Sequence, residues 1–307
     1  MKKQDQELVE RFLEDFKKEL TAKYRNEIDF ILLFGSAARG EWKRGVSDID
    51  LIIQVKNSGV KKEIFKYTEE IFWKLDEKYD TKFKDVCSIQ KTEKISFVNA
   101  IKFAERQARL YVPFEVIGPN EIDWKKCDFN DPFYKIGAFL VFPKSMFFIK
   151  VKTEGKILYG KNILKEINPG LSFWDVFKIL LNPYHLSMLS LATVLFAPDF
   201  AIKHAIKAIL YEIESVLLYL ERPITKGTTK AYNRVRKIIK NKYIDLEIVE
   251  EAFDLKYDWE ERIANMSHRE KIIFCLKTVS FVTVLGWLAI FTKIYSSIIK
   301  PLVERYD

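Results

Sequence analysis

The run Ile28-Asp29-Phe30-Ile31-Leu32-Leu33-Phe34, then Gly35-Ser36-Ala37-Ala38-Arg39-Gly40, then Ser47-Asp48-Ile49-Asp50-Leu51-Ile52-Ile53, decides how this chain folds. An apolar, β-branched run breaks at a Gly-Ser corner, a polar connection follows, and a second apolar run opens on two carboxylates. Short apolar runs bounded by Gly and polar residues read as buried strands. Residues i and i+2 of a strand share a face, so Asp48 and Asp50 stand side by side, roughly 7 Å apart at Cα. Ile49, Leu51 and Ile53 then face the other way, into a core. Two carboxylates so placed suit divalent cations, because Mg²⁺ is usually held by one or two carboxylates together with substrate phosphates. Gly35-Ser36 adds close backbone approach, a hydroxyl and free N–H groups able to hold a phosphate chain. A metal half and a phosphate half together point to nucleotidyl transfer.

Composition sets the frame around that motif. The chain has 307 residues, 48% hydrophobic and 14% aromatic, enough for a large core and two domains. With only 11 Gly and 9 Pro, low-complexity and linker-rich readings are excluded. Cys87, Cys127 and Cys275 match no zinc or redox spacing and read as small buried apolar residues of a reducing, cytoplasmic compartment. The opening Met1-Lys2-Lys3-Gln4-Asp5-Gln6-Glu7 is polar throughout and shows no apolar secretion segment. Thr278 to Thr292 is uncharged but short of the ~20 residues a membrane span needs, so it reads as a bundle helix with no membrane partner. The net charge of +8 fits polyanionic nucleotides and also leaves nucleic acid open as a partner.

The spacing G-S-x3-G-x7-D-x-D, carried here by Gly35, Ser36, Gly40, Asp48 and Asp50 between two apolar strands, resembles the signature of the polymerase-β-type nucleotidyltransferase superfamily. The wording Phe34-Gly35-Ser36-Ala37-Ala38-Arg39-Gly40-Glu41-Trp42 with Ser47-Asp48-Ile49-Asp50-Leu51 is most similar to its minimal members, which include antibiotic adenylyltransferases and antitoxins. The resemblance implies Mg²⁺ or Mn²⁺ at Asp48 and Asp50, and a nucleoside triphosphate against Gly35 and Ser36. Arg39 and Arg44, in the connection, read equally as nucleotide contacts or solvated loop charges, and Ser47 reads as a further nucleotide contact. The resemblance also implies a third carboxylate from a later strand, as metal ligand and general base. Asp85 is the natural candidate, one helix after Asp50 in the expected strand Phe83-Lys84-Asp85-Val86-Cys87-Ser88-Ile89; Glu115, in the further strand Val112-Pro113-Phe114-Glu115-Val116-Ile117, is its rival.

Outward from the motif, residues 4–25 carry Leu8, Phe12, Leu13, Phe16 and Leu20 at helical spacing, and a second helix is expected over 59–79. A short helix is expected near Ser36, with its hydroxyl as N-cap. Further helices are expected over 93–109 and over 132–152, the latter started or kinked at Pro143. Glu154-Gly155-Lys156-Ile157-Leu158-Tyr159-Gly160 resembles a sequence that often closes nucleotidyltransferase domains. Asn168-Pro169-Gly170 marks the turn beyond it.

Only helices are expected after Leu171, one of them opening at Asn182-Pro183. The expected architecture is α+β: a small mixed nucleotidyltransferase sheet flanked by helices over 1–165, then an all-α helical bundle over 166–307. The basic run Arg234, Arg236, Lys237, Lys240 and Lys242 reads as a solvated face or a nucleic-acid surface. Arg262 and His268 fit the loose R-x4–6-H spacing of HEPN-type ribonucleases, a weak pattern. Three functions follow: transfer of AMP from ATP to a hydroxyl of a small molecule or protein, 3′-end extension of a nucleic acid, or an antitoxin-like protein that binds its partner.

Overall fold

The computed structural model describes residues 2–45, 47–83, 113–140, 143–221, 228–238 and 246–294. They form two compact units, Met1–Leu140 with Lys144–Leu171, and Val141–Pro143 with Ser172–Asp307.

The first unit is built on a four-stranded mixed sheet. Helix α1 (Lys2–Tyr24) leads into β1 (Ile28–Phe34), α2 (Gly35–Arg39) and β2 (Asp50–Val55). A 3₁₀ turn over Ser58–Val60 precedes α3 (Lys61–Tyr79), and β3 (Phe114–Ile117) follows. After the small hairpin of β4 (Ile122–Asp123) and β5 (Asp128–Phe129) come α4 (Pro132–Leu140), α5 (Lys144–Glu154) and β6 (Lys156–Gly160). Pro143 lies between the last two helices, as a residue that cannot continue a helix should. The sheet order is β3-β2-β1-β6, with β2 parallel to β3 and antiparallel to β1.

The side chains alternate cleanly. Ile31, Leu33, Leu51, Ile53, Phe114 and Val116 face α1 and α3 and share a core with Phe12, Phe16, Ile64, Phe72 and Leu75. The opposite face carries Phe30, Phe34, Gln54 and the acids discussed below, and aromatic rings cover it. Phe30 meets Trp124 at 5.8 Å between centroids, and Phe34 meets Phe147 at 5.9 Å. Trp124 Nε1 donates to Gln54 Oε1 at 2.8 Å, and Gln54 Nε2 donates to Asp29 Oδ2 at 3.1 Å. The closing Gly155…Gly160 sequence has a physical basis: at Gly160, φ +81°, a Cβ would lie 2.0 Å from the Asp29 carbonyl oxygen. β6 can therefore pair with β1 only with glycine there.

The second unit is all-helical among the described residues: α6 (Phe173–Thr193), α7 (Pro198–Glu221), α8 (Thr228–Ile238), α9 (Glu247–Tyr257), α10 (Trp259–Asn265) and α11 (His268–Ile294). Ser172 caps α6, accepting from the Asp175 amide at 3.0 Å. Pro183 does not begin a helix as expected. It lies inside α6, where tertiary packing carries the helix through a local stop signal. Ile202, Ile206, Ile209, Ile213, Val216 and Leu217 of α7 form the centre of the core, with Phe274, Cys275, Phe281, Val282 and Leu285 of α11. Burial pushes the Cys275 thiol up to about 11, in keeping with an apolar role. Among the described helices, α11 is the one long and apolar enough to cross a bilayer, and 39% of its most apolar window is buried.

One residue conflicts with this core. Glu212 is fully buried on α7, neither carboxyl oxygen has a hydrogen-bond partner, and Oε1 lies where a Cβ on Gly286 of α11 would meet it at 3.1 Å. Burial raises its pKa well above the usual carboxyl range, so the folded chain holds the proton longer than the unfolded one. The stability this supplies is complete below the unfolded value and is lost as pH rises through the folded one. Glu212→Met, which removes the unsatisfied group, is expected to stabilise the protein by about 1–3 kcal/mol at neutral pH. Its advantage in Tm over the parent should widen between pH 5 and pH 8. A gap that is constant with pH, or a less stable variant, would show that the carboxyl is not a neutral orphan.

Candidate active site

The Gly-Ser corner is shaped by what it faces. Gly35 has φ +74°, a region that favours glycine, and a Cβ on it would lie 2.0 Å from Asp50 Oδ2. The Asp50 carboxylate thus lies directly over the Gly35 Cα, and β1–β2 pairing sets Phe34 opposite Asp50. The helix after the corner begins at Gly35 with Phe34 in the cap position, so Ser36 is not the N-cap expected from the sequence. Its hydroxyl oxygen is instead buried with no hydrogen-bond partner. Buried hydroxyls nearly always find a partner, so an orphan on the residue after that glycine fits a site built for a ligand atom.

Asp48 is exposed just ahead of β2, and Ile49 between the two acids is buried in the core, the alternation that puts Asp48 and Asp50 on one side. The connection that delivers them is closed by its own bonds. Buried Trp42 donates from Nε1 to the Ser47 carbonyl at 3.1 Å, and Ser47 Oγ accepts from the Lys43 amide at 3.1 Å. Ser47 is buried at the root of the loop. Arg39 donates to Glu41 at 2.8 Å and to the buried Glu154 at 2.6 Å, tying α2 to the end of α5. Arg44 pairs with Asp80 on the surface, its Nε 2.5 Å from the Asp80 carbonyl. Of the side chains read from the sequence as nucleotide contacts, Arg39, Arg44 and Ser47 thus hold protein partners here, and Ser36 does not.

Asp85 lies outside the described residues. Glu115 lies on β3, in register with Ile52 of the parallel neighbour β2, two residues beyond Asp50. Its neighbours Phe114 and Val116 point into the core with Leu51 and Ile53, so Glu115 shares the sheet face of Asp50. Tyr134, on α4, donates its hydroxyl to Glu115 Oε1 at 2.6 Å. Sequence reading missed Tyr134 entirely, because no local signal links it to a strand 19 residues upstream.

Among the described residues no three His, Cys, Asp or Glu side chains converge as a metal site. The Asp48 and Asp50 carboxylates are donors that could hold a divalent cation, with substrate phosphates completing the shell. Glu115 stands on the sheet face of Asp50, bonded to the Tyr134 hydroxyl.

In the second unit, Arg234 is bound by Glu221 at 2.8 and 2.9 Å through Nε, and Arg236 pairs with Glu250 at 3.8 Å. Lys240 and Lys242 lie outside the described residues. Arg262 is paired with Asp254 and Asp258, and His268 is exposed at the start of α11.

The chain is similar to known nucleotidyltransferases. The nucleotidyltransferase domain family matches residues 13–111, a segment that includes Asp48, Asp50 and Asp85 and ends just before β3. A protein of Methanocaldococcus jannaschii named as a candidate protein adenylyltransferase is 31% identical over 99 residues, which cover 31% of this chain and 93% of that protein. The crystal structure of a spectinomycin adenyltransferase from Enterococcus faecialis with ATP and spectinomycin matches with a TM-score of 0.47 and 14% identity, covering 90% of this chain and 98% of that one.

Proposed function

Since this chain belongs to the nucleotidyltransferase domain family and is a transferase, we propose that it moves AMP from ATP to a hydroxyl of a small molecule or a protein. The observation that carries this reading is the Asp50 carboxylate set over Gly35, whose chain neighbour Ser36 has an orphaned hydroxyl. Asp48 and Asp50 would hold Mg²⁺ or Mn²⁺, which when bound neutralises charge on the triphosphate and its leaving group. Gly35 lets the phosphates approach the backbone, and Ser36 Oγ supplies a donor already stripped of competing partners. Glu115 is the base: it takes the proton of the acceptor hydroxyl as oxygen attacks the α-phosphorus and pyrophosphate leaves. Arg39, Ser47 and Trp42 act through structure, holding the corner and the loop so that both acids are presented together.

Two observations favour a hydroxyl on a protein or apolar small molecule over a nucleic acid. Phe133, Ile136 and Phe139 of α4 are more than half exposed, an apolar face on the helix that carries Tyr134. The arginines of the basic run on α8 are paired with acids. The named activity of the archaeal relative is in keeping with this choice.

The test is transfer of label from α-labelled ATP with release of pyrophosphate, scanned across small-molecule and protein acceptors. Asp48→Ala and Asp50→Ala are each expected to lower transfer by about 10²–10³-fold or more. ATP, GTP, CTP and UTP should be compared with Mg²⁺ and with Mn²⁺. Transfer that survives both substitutions, or that needs no divalent ion, would refute the assignment.

A further inference from the structure

We propose that Tyr134 is itself an acceptor, so that this chain transfers a nucleotidyl group to its own Tyr134 hydroxyl. The inference rests on the reading of Glu115 as base, and extends it to a modification site. Its ground is the juxtaposition of Tyr134 Oη and Glu115 Oε1 at 2.6 Å, the geometry in which a base accepts a hydroxyl proton. The reaction consumes a hydroxyl, and this hydroxyl already donates to the candidate base.

The tyrosine is firmly placed. Asp131 caps α4, accepting from the amides of Phe133 at 2.9 Å and Tyr134 at 3.3 Å. The Tyr134 ring packs on Phe129, 5.7 Å between centroids, and Phe129 packs on Phe147 and Phe148 beneath the sheet. Glu115 in turn is fixed by β3 pairing on the sheet face that carries Asp50. Both partners of the 2.6 Å bond therefore stand on packed elements of one unit.

The chemistry balances. The Tyr134 proton passes to Glu115, Oη bonds to the α-phosphorus of the nucleoside triphosphate, and the bond from that phosphorus to the β-phosphate bridging oxygen breaks. Pyrophosphate leaves with the electron pair, and the product is a tyrosyl nucleotide phosphodiester. A phenol, with a pKa near 10, gives up its proton more readily than an aliphatic alcohol.

The experiment uses the full chain with α-labelled ATP and Mg²⁺ and no added acceptor. Intact mass is recorded before and after, and the labelled position is mapped by peptide mass spectrometry. Binding of ATP with Mg²⁺ is followed in parallel as a thermal shift. The expected result is one added nucleotidyl group on Tyr134, present on isolation or gained during incubation, and absent from Glu115→Gln and Tyr134→Phe. Mapping on the parent chain keeps the test independent of how the variants fold. Bound nucleotide with Tyr134 unmodified, or label at another residue, overturns the inference and leaves the proposed function standing. No nucleotide binding at all overturns both.

Discussion

Replacing Gly35 with alanine is expected to cost this protein its transfer activity, by about 100-fold or more, because sub-ångström placement of reacting groups carries that much rate. The new methyl would be 2.0 Å from Asp50 Oδ2, far inside van der Waals contact, on backbone at φ +74°. Something must move. The strands around the corner are paired and buried, so the carboxylate is the element that yields. The backbone strain should take about 1–2 kcal/mol from stability, a loss that leaves a folded protein. Loss of the thermal shift with Mg²⁺ and ATP, alongside a single cooperative melt, is the result to look for. A variant that unfolds outright is uninformative about Asp50, so Asp50→Asn serves as its companion: it keeps the volume and removes the charge. If Gly35→Ala transfers label at the parental rate, Asp50 does not hold the metal from over that glycine.

The second large effect separates two acids, of which the sequence favoured Asp85 and kept Glu115 as the rival. Glu115→Gln is expected to lower the transfer rate by about 10²–10⁴-fold, the usual contribution of a general base. Its affinity for ATP should stay close to the parent's, because the proposed site holds the phosphates at Gly35, Ser36 and the aspartate pair. Asp85→Asn should change the rate by less than tenfold. The reverse pattern would assign the base to Asp85 and make Glu115 a structural partner of Tyr134. The reading favours Glu115 because β3 is hydrogen-bonded alongside β2 and presents Glu115 on the Asp50 face. The family match ending at residue 111 does not weaken this, since the boundary of a sequence match is not the boundary of a sheet.

Much of the first unit was legible from residue order. Short apolar runs over 28–34 and 48–55 and helical spacing in 4–25 and 59–79 are local signals, and the matching elements stand within about two residues of those bounds. The Gly-Ser corner followed by D-x-D was readable for the same reason: its glycine is needed by a backbone angle and a close approach. The helix-rich second half was legible in kind but not in its joints. At Pro183 a local stop signal was overruled by packing.

The sequence by itself determined that a strand–corner–strand unit would bring two aspartates to a glycine and a serine. Each of those demands is met within about 25 residues of chain, where short-range geometry governs. Only the tertiary structure decided which distant groups join them. It paired β3 with β2, setting Glu115 on the face of Asp50, and set Tyr134 against that acid. It also turned Arg39, Arg44 and Ser47 to protein partners, and left Glu212 without one. Long-range partners are selected by how whole faces pack, and no spacing along one chain encodes that choice.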